Sequence, residues 1–333
     1  MARLSCSLSI KARKRYDLSA GGRTIPLGLR TLVMGVLNVT PDSFSDGGRF
    51  LNPRQAIRHA LEMASQGADW IDVGGESTRP GAEPVTGQEE LRRVLPVIEG
   101  IRERLPHLLI SIDTAKSEVA ERAIRAGANI LNDVSGLRLD GRLAEVARRH
   151  HSPLVLMHLR GRPATMQRRP FAASVFRSLS RGLGWSIRRA ITLGVPRSQL
   201  IIDPGLGFGK TRRQNFEILA RLAQLQRFDL PILVGASRKS FMQAVVAGES
   251  LDPVRASSRK YWKLTGSVKE RAAVRTGKLA SDNQPARFDP LDFGDAAAAV
   301  AAALAGAHIV RVHHVAAIVP ALRVADAIRA AAR

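Results

Sequence analysis

Eight short apolar segments, separated by longer amphipathic stretches, constrain the fold of this 333-residue chain more than any other feature. They are rich in β-branched residues and apolar along their whole length, which is typical of parallel strands buried on both faces. The candidate strands are residues 32–38, 70–74, 108–113, 129–133, 154–158, 200–203, 232–236 and 309–313. Helical periodicity fills several connections, at residues 53–67, 87–105, 116–127, 175–194 and 212–227. Eight such units without a break between two halves predict an α/β fold, a single (β/α)8 TIM barrel.

Residues 1–30 precede the barrel, which we assign to residues 31–333. The extension begins with a segment rich in Arg, Lys and Ser that has no acidic residue before Asp17. This composition weakly resembles an organelle transit peptide, although a bacterial-style N-terminal extension is the interpretation that we favour. The segment 17–30, with its pair of adjacent glycines, predicts a hairpin or plug ahead of the first barrel strand.

A basic stretch at about 249–293 lengthens the connection between strands 7 and 8. It is far longer than an ordinary connection, and its richness in Ser, Arg and Lys predicts a mobile or partly disordered insertion. After the insertion, Asp295 is expected to cap the alanine-rich helix 296–305. The insertion lies at or near the active-site face of the barrel, so it could cover the site or meet a partner.

Cysteine content and hydropathy indicate where the protein works. The single cysteine, Cys6, excludes an intrachain disulfide and fits a reducing compartment. No run of about 18 apolar residues occurs, so the sequence predicts no membrane span. These features favour a cytoplasmic protein.

The formal net charge of +22 raises the question of a polyanionic partner, because clustered Lys and Arg attract phosphates. The basic residues concentrate in residues 1–30, 159–189 and 255–288. None of these stretches interleaves aromatic residues at base-stacking spacing, and no helix-turn-helix, RNP or zinc-finger pattern occurs. A solvated basic surface is the favoured interpretation, and a nucleic-acid partner is not expected.

Polar residues follow the candidate strands at the end where TIM barrels keep their active sites. In strand order they are Asn38, Asp72, Asp113, Asn132 with Asp133, His158, Asp203, Ser237 to Lys239, and His313. Any one of them could be a loop or cap residue, and we assign Asp133 and Ser135 to that class. Eight coincidences predict an enzyme with one site built from many strands.

Blocks of sequence around these residues resemble a known family. They are MGVLNVTPDSFSDGG at 34–48, IDVGGESTRPGAEPV at 71–85, SIDT at 111–114, NDVSG at 132–136, IDPGLGFGKT at 202–211, GASRKSF at 235–241 and RVH at 311–313. In this order they resemble the dihydropteroate synthase family over most of residues 30–320. The resemblance implies condensation of (7,8-dihydropterin-6-yl)methyl diphosphate with 4-aminobenzoate, giving 7,8-dihydropteroate and diphosphate. It also implies two small-molecule substrates, Mg²⁺ as cofactor, and a homodimer formed through helices far from the site.

A pterin presents a flat edge of N–H donors, and a buried carboxylate can accept those hydrogen bonds. The resemblance assigns the pterin to residues at the barrel mouth, namely Asp72, Asp113, Asn132, Met157, Asp203, Phe208 and Lys239. Within this set, Asp72 has a supporting role, and Met157 and Phe208 would sandwich the ring. On the sequence alone, a Met or Phe near a strand end is more often ordinary core.

Arg311 and His313 are two residues apart on one strand, so both side chains project to the same face. A guanidinium can bind phosphate oxygens through two parallel hydrogen bonds, and a histidine beside it adds a donor. The resemblance assigns this pair to the leaving diphosphate, with Arg79, Asn38 and a magnesium ion that Asn38 contacts. It implies a catalytic role for Lys239, Arg311 and His313.

The resemblance places the second substrate between two loops and the turn after strand 7. Ser237 would meet the carboxylate of 4-aminobenzoate, and Phe44, Thr78, Arg79 and Pro80 would close over this substrate. Both loops are rich in Gly, Ser and Pro, as expected of segments that become ordered on binding.

Three places depart from the family pattern, and the mildest is Leu159-Arg160, where the family often has Met-Arg. The family commonly continues RVHD, whereas this chain has His314, which the alternation of a strand points away from the ligand face. The family tends to have Gly-Thr where this chain has Gly294-Asp295.

Three alternative functions compete with this interpretation. PGLGFGKT approaches a phosphate-binding Walker A loop, but Pro204 stands where that motif has its first glycine. A pterin-binding barrel that transfers a methyl group to a corrinoid protein has no use for Arg311 and His313. A catalytically silent homologue whose insertion binds nucleic acid or protein would not need every matched catalytic position.

Overall fold

Strands and helices alternate along the part of the chain that this computed structural model describes, residues 13–40, 52–77, 82–161, 166, 174–251 and 289–332. The strands are β1 (Tyr16–Ala20), β2 (Arg23–Leu27), β3 (Leu32–Asn38), β4 (Trp70–Gly74), β5 (Leu109–Asp113), β6 (Ile130–Asp133), β7 (Leu154–Met157), β8 (Leu200–Asp203), β9 (Leu233–Val234) and β10 (Ile309–Val312). The α-helices are α1 (Pro53–Ser65), α2 (Gly87–Arg104), α3 (Ser117–Arg125), α4 (Leu143–Arg149), α5 (Val175–Thr192), α6 (Arg212–Ala220), α7 (Ser240–Val246), α8 (Pro290–Leu304) and α9 (Val315–Ala331). No helix among these residues is both long and apolar enough to cross a membrane.

Strands β3 to β10 form one eight-stranded sheet in the order β8-β7-β6-β5-β4-β3-β10-β9. Its neighbours pair in parallel, and a parallel bridge between Ile202 of β8 and Ile232 joins the two edges. The predicted TIM barrel is therefore confirmed. Strand β9 is shorter than the predicted 232–236, because the chain leaves the sheet after Val234 and turns at Arg238, whose φ is 55°.

The hairpin β1–β2 closes one end of the barrel. The two strands pair antiparallel around Gly21 and Gly22, whose positive φ angles of 57° and 72° suit glycine. Leu18 and Leu27 on the hairpin are fully buried. They pack in one apolar cluster with barrel residues that include Leu32, Met34, Trp70, Leu109, Ile130, Val155, Ile201, Leu233 and Ile309. The hairpin is thus the predicted plug.

Arg13 fastens the segment before the hairpin to the end of the chain. Its guanidinium is buried and donates to Thr31 Oγ1 at 2.9 Å and to the carbonyl of Ala303 at 3.1 Å. It also lies 3.5 Å from an Asp326 carboxylate oxygen on α9. The N-terminal segment, the approach to β3 and the last two helices are therefore held together.

Helix α8 corrects two expectations about the region after the insertion. It begins at Pro290 with Asp289 as its N-cap, and the Asp289 carboxylate accepts from Leu291 N at 2.9 Å. An Asp-Pro pair is well suited to the N-cap and first position of a helix, so the predicted cap at Asp295 is wrong. Residues 290–293 belong to α8 rather than to the insertion, and residues 252–288 of the insertion lie outside the described part.

Candidate active site

The centre of the barrel mouth is an ion-pair network built from three strands. Arg311 of β10 donates from Nε to Asp72 Oδ2 at 2.6 Å and from a terminal nitrogen to Asp113 Oδ2 at 2.8 Å. The Asp72 side chain is fully buried, and the Asp113 side chain is 10% exposed. A guanidinium between two buried carboxylates fixes the positions of all three groups.

Asp72 has further partners within the barrel. Its Oδ1 accepts from Ser111 Oγ at 2.6 Å, and its Oδ2 accepts from Asn132 Nδ2 at 3.0 Å. These contacts use the acceptor capacity of Asp72 inside the protein. The geometry therefore suits the supporting role that the resemblance implied for Asp72.

Burial changes the titration of this network. Burial, followed by repulsion from Asp72, raises the pKa of Asp113 to about 7, and the Arg311 charge opposes the rise. Burial acts to lower the pKa of Arg311, but the nearby Asp72 and Asp113 charges outweigh it and raise that pKa. Asp113 can therefore gain or lose a proton near neutral pH, while Arg311 stays charged.

Asp203 and Lys239 lie beside this network at the barrel mouth, and a Cβ at Gly235 would lie 3.7 Å from Arg311 Cδ and 3.8 Å from Lys239 Nζ. Asp203 Oδ1 accepts from Gly205 N at 2.7 Å, and burial raises the pKa of Asp203. Lys239 Nζ donates to the carbonyl of Leu206 at 2.5 Å and lies 4.8 Å from the centre of the Phe208 ring. Burial lowers the pKa of Lys239 to about 8, although the Asp203 charge opposes this. Lys239 therefore remains mostly charged at neutral pH.

Met157 and Phe208, the predicted pterin sandwich, belong to one small apolar cluster. The cluster also contains Val134, Leu159 and Met166, and Phe208 is its partly buried member. Met157 pairs in the sheet with Asp203, so the cluster begins directly beside a carboxylate. This arrangement can cover the face of a flat ring while a carboxylate accepts from its edge.

The turn after β9 joins Ser237 to His313. Ser237 Oγ lies 2.6 Å from Asp295 Oδ2 and 3.0 Å from His313 Nδ1, and it accepts from the backbone N of His313 at 3.3 Å. Burial raises the pKa of Asp295, and hydrogen bonds from Ser237 and Arg238 oppose this. His314 also follows the end of β10 at Val312, and its Nδ1 lies 2.7 Å from Asp292 Oδ2 on α8 rather than near Ser237.

Lys210 fixes the glycine-rich loop after β8 through hydrogen bonds to backbone carbonyl groups. Its ammonium is buried and donates to the carbonyls of His158, Gly205 and Phe208 at 3.1, 2.7 and 3.0 Å. Burial lowers the pKa of Lys210 to about 7. In the sequence, Lys210 belongs to an incomplete Walker A match, and the glycines that precede it are the available signal of its role.

His158 does not join the site, although its position at a strand end suggested it. Its Nε2 lies 3.3 Å from Ser178 Oγ on α5, and a Cβ at Gly182 would collide with the ring. Burial, with the Lys210 and Arg138 charges, holds the pKa of His158 well below its ordinary value. The side chain points between the barrel and α5.

Comparison with known proteins assigns the family. A family model described as pterin binding enzyme matches residues 34–313. The dihydropteroate synthase of Synechocystis sp. is 40% identical over 311 residues, which cover 93% of this chain and 94% of that protein. The chain belongs to the dihydropteroate synthase family.

Further dihydropteroate synthases agree in sequence and in structure. The Escherichia coli K12 protein is 43% identical over 295 residues, covering 89% of this chain and 90% of that protein. A Xanthomonas albilineans dihydropteroate synthase solved with 4-aminobenzoic acid superimposes with a TM-score of 0.76 and 38% identity. The superposition covers 95% of this chain and 99% of that chain.

Asn38 can supply an oxygen ligand to the magnesium ion that the family resemblance implies. A Cβ at Gly74 would lie 3.8 Å from Asn38 Oδ1 and 3.8 Å from Asp113 Oδ2, so both oxygens flank this glycine. No group of three or more His, Cys, Asp or Glu suited to a metal occurs in the described part of the chain. Mg²⁺ usually takes only one or two protein oxygens and completes its shell with phosphate and water. The donor set therefore fits Mg²⁺ that arrives with a diphosphate.

Four predicted residues of the dihydropteroate synthase site lie outside the described residues, namely Phe44, Thr78, Arg79 and Pro80. The other predicted residues come together at the barrel mouth. Asp295 and Lys210 also contact this set, and neither residue is expected in the site from its sequence context. No local sequence pattern predicts the hydrogen bond between Ser237 and Asp295, which lies 58 residues later on a helix.

Proposed function

We propose that this protein condenses (7,8-dihydropterin-6-yl)methyl diphosphate with 4-aminobenzoate to give 7,8-dihydropteroate and diphosphate. The observation that carries the proposal is the position of Arg311 between Asp72 and Asp113. In this position the Arg311 guanidinium, which can bind phosphate, lies beside Asp113, whose carboxylate can accept hydrogen bonds from the edge of a pterin. The apolar cluster of Met157 and Phe208 lies at the same barrel mouth.

The pterin is proposed to bind with its donor edge toward Asp113 and Asp203. A carboxylate accepts hydrogen bonds from adjacent N–H groups, and Asn132 adds mixed donor and acceptor capacity. Met157 and Phe208 would cover the ring, with Lys239 above Phe208 contributing a positive charge. This orientation directs the methylene carbon of the pterin toward the end of β10.

The leaving diphosphate is proposed to meet Arg311 and His313. A guanidinium carries five N–H donors, and the contacts with Asp72 and Asp113 leave others for phosphate oxygens. Mg²⁺ held by the Asn38 carbonyl oxygen would neutralise charge on the departing diphosphate. Preorganised cations of this kind stabilise the charge that develops as the carbon–oxygen bond breaks.

The amine of 4-aminobenzoate needs orientation more than activation. Its nitrogen is uncharged at neutral pH and attacks the methylene carbon, where the electron-rich pterin can stabilise positive charge as the carbon–oxygen bond to diphosphate breaks. Phe44, Thr78, Arg79 and Pro80 would hold this substrate against Ser237, and orientation of two reactants lowers the barrier substantially. After the carbon–nitrogen bond has formed, the nitrogen loses its extra proton to water.

Diphosphate release from purified protein tests the proposal. The assay supplies the dihydropterin diphosphate and Mg²⁺, with and without 4-aminobenzoate, and detects dihydropteroate by mass spectrometry. We expect release that depends on 4-aminobenzoate and yields equal amounts of the two products. A folded protein that binds the pterin yet releases nothing would favour a catalytically silent homologue instead.

A homodimer and a cytoplasmic location are also proposed. The dimer rests on the family resemblance, and the location rests on the single cysteine and the absence of a long apolar run in the sequence. Light scattering during size-exclusion chromatography gives the mass in solution, and a mass near 36.1 kDa would contradict the dimer.

A further inference from the structure

Asp295 of α8 reaches into the proposed site from outside the barrel. It is only 3% exposed, and its carboxylate lies 2.6 Å from Ser237 Oγ. Both of its oxygens also lie 3.1 Å from the backbone N of Arg238, which donates to them. Asp295 therefore binds two consecutive residues of the turn that precedes Lys239.

Proton counting fixes the direction of the hydrogen bonds around Ser237. A serine hydroxyl has one proton, and a carboxylate can only accept, so the Ser237 proton is donated to Asp295. Ser237 Oγ must then accept from its other neighbours, the backbone N of His313 at 3.3 Å and the Nδ1 of its ring at 3.0 Å. The ring can satisfy this contact only if Nδ1 carries a hydrogen.

We propose that Asp295 is a positioning residue that, through Ser237, keeps a proton on Nδ1 of the His313 ring. This inference rests on the proposed function, in which His313 meets the leaving diphosphate. With Nδ1 always a donor, the ring keeps one orientation in its neutral and its charged form. The exchangeable proton is then the one on Nε2, the ring nitrogen that does not contact Ser237.

The bond to Arg238 supports the same role through the backbone. Arg238 has a φ of 55°, a left-handed conformation that is uncommon for residues other than glycine. The carboxylate of Asp295 accepts from Arg238 N and thereby stabilises this turn. Ser237 and Lys239 on either side are held in their positions by the same contact.

Asp292 provides a matched control on the same helix. It precedes Asp295 by three residues, and its carboxylate lies 2.7 Å from Nδ1 of His314. The neighbouring histidine of the same strand end is therefore held by an equivalent carboxylate, but outside the site. Asp292→Asn and Asp295→Asn remove the same charge from one helix and differ in which histidine they affect.

Nitrogen NMR of protein labelled with ¹⁵N-histidine tests the inference without any substrate. The His313 signals are assigned by their loss in His313→Gln. We expect wild-type His313 to carry hydrogen on Nδ1, and Asp295→Asn to shift the neutral ring toward the Nε2–H form. The shift is expected because the amide can donate to Ser237, which frees the hydroxyl proton for Nδ1. A bare Nδ1 in the wild-type protein at neutral pH would overturn the inference.

Steady-state kinetics provide the second measurement. Asp295→Asn is expected to lower kcat about 10-fold, as loss of a partner that orients a ligand residue commonly does, with little change in KM for the pterin. Asp292→Asn is expected to keep the wild-type kcat. Ser237→Ala should reproduce the tautomer change, and in the Ser237→Ala background Asp295→Asn should cause no further loss of kcat. Additive losses, or an unchanged kcat in Asp295→Asn, would overturn the inference.

The two measurements separate failure of the inference from failure of the proposed function. A wild-type protein with the expected tautomer and no diphosphate release would refute the function only. If Asp295→Asn does not fold, the wild-type spectrum and Ser237→Ala still decide the inference.

Discussion

Replacing Arg311 by methionine removes a positive charge that contacts Asp72 and Asp113 at 2.6 and 2.8 Å. Breaking a buried ion pair by removing one partner costs about 3–5 kcal/mol, because a buried charge is left uncompensated. Both carboxylates here are almost fully buried, so we expect the free energy of unfolding to fall by about that amount at pH 8.5.

The stability that Arg311→Met loses relative to the wild type should increase with pH. In the wild-type protein burial raises the pKa of Asp113 to about 7, and Arg311 opposes the rise, so the variant has a still higher pKa. The folded variant therefore binds more protons than the folded wild type near and above pH 7. Its stability deficit is smallest at pH 6 and grows as pH rises, by about 1.4 kcal/mol per unit of difference in the pKa of Asp113.

Urea unfolding followed by far-UV circular dichroism at pH 6 and pH 8.5 measures both quantities. Arg30→Met is the control, because Arg30 also binds one carboxylate, Asp69, but its side chain is 59% exposed. Exposed ion pairs contribute about 0–1 kcal/mol, so this variant should lose little stability at either pH. A deficit in Arg311→Met that is below about 1 kcal/mol, or equal at the two pH values, would refute the reasoning.

Arg311→Ala tests the proposed role of Arg311 in stabilising the leaving diphosphate. We expect kcat to fall at least about 100-fold, since the cation on the leaving group is lost. Pterin binding should largely survive, because the edge of the ring meets carboxylates rather than Arg311. Equal losses of both in a folded variant would contradict this division of roles.

Three further changes test other parts of the site. Gly205→Ala should destabilise the protein by about 2 kcal/mol more than Gly22→Ala. A Cβ at Gly205 would collide with the His158 carbonyl, whereas no atom lies within 4 Å of a Cβ at Gly22. Thermal unfolding of both variants measures the difference. Burial lowers the pKa of Lys210 to about 7, so the folded protein binds fewer protons there than the unfolded chain, and stability should rise between pH 7 and 10. Lys210→Met should reduce that slope in urea unfolding, and an unchanged slope would show that another group causes it. Chelation of Mg²⁺ with EDTA should suppress diphosphate release, which excess Mg²⁺ should restore and Ca²⁺ should restore poorly, because Mg²⁺ and Ca²⁺ differ in size and coordination.

Strand ends were the part of the site that the sequence could predict. In a parallel barrel every carboxyl end lies on one face, so Asp113 and Asp203, the last residues of β5 and β8, were expected on that face together with Asp72, which lies two residues before the end of β4. The same rule misplaced His158, because it gives the end of the barrel but not the direction of a side chain. His158 follows the last residue of β7, where alternation no longer applies, and its ring turns toward α5.

Asp295 and Lys210 could not be predicted because their roles depend on distant parts of the chain. Asp295 looked like a helix cap in its own segment, and its partner Ser237 lies 58 residues earlier. The Lys210 ammonium donates to three carbonyl groups, and one of them belongs to His158, 52 residues earlier in the chain. Local patterns report on neighbours in the chain, whereas these two contacts exist only after the barrel has closed.

The contacts of Arg13 have a consequence for the order in which the protein is completed. Its acceptor on α8 lies 290 residues further along the chain, and its partner on α9 lies 313 residues further. During synthesis, Arg13 leaves the ribosome before α8 and α9 do, so its buried contacts can form only after both helices have been made. The native surroundings of Arg13 are therefore absent while the strands between it and α8 are being synthesised.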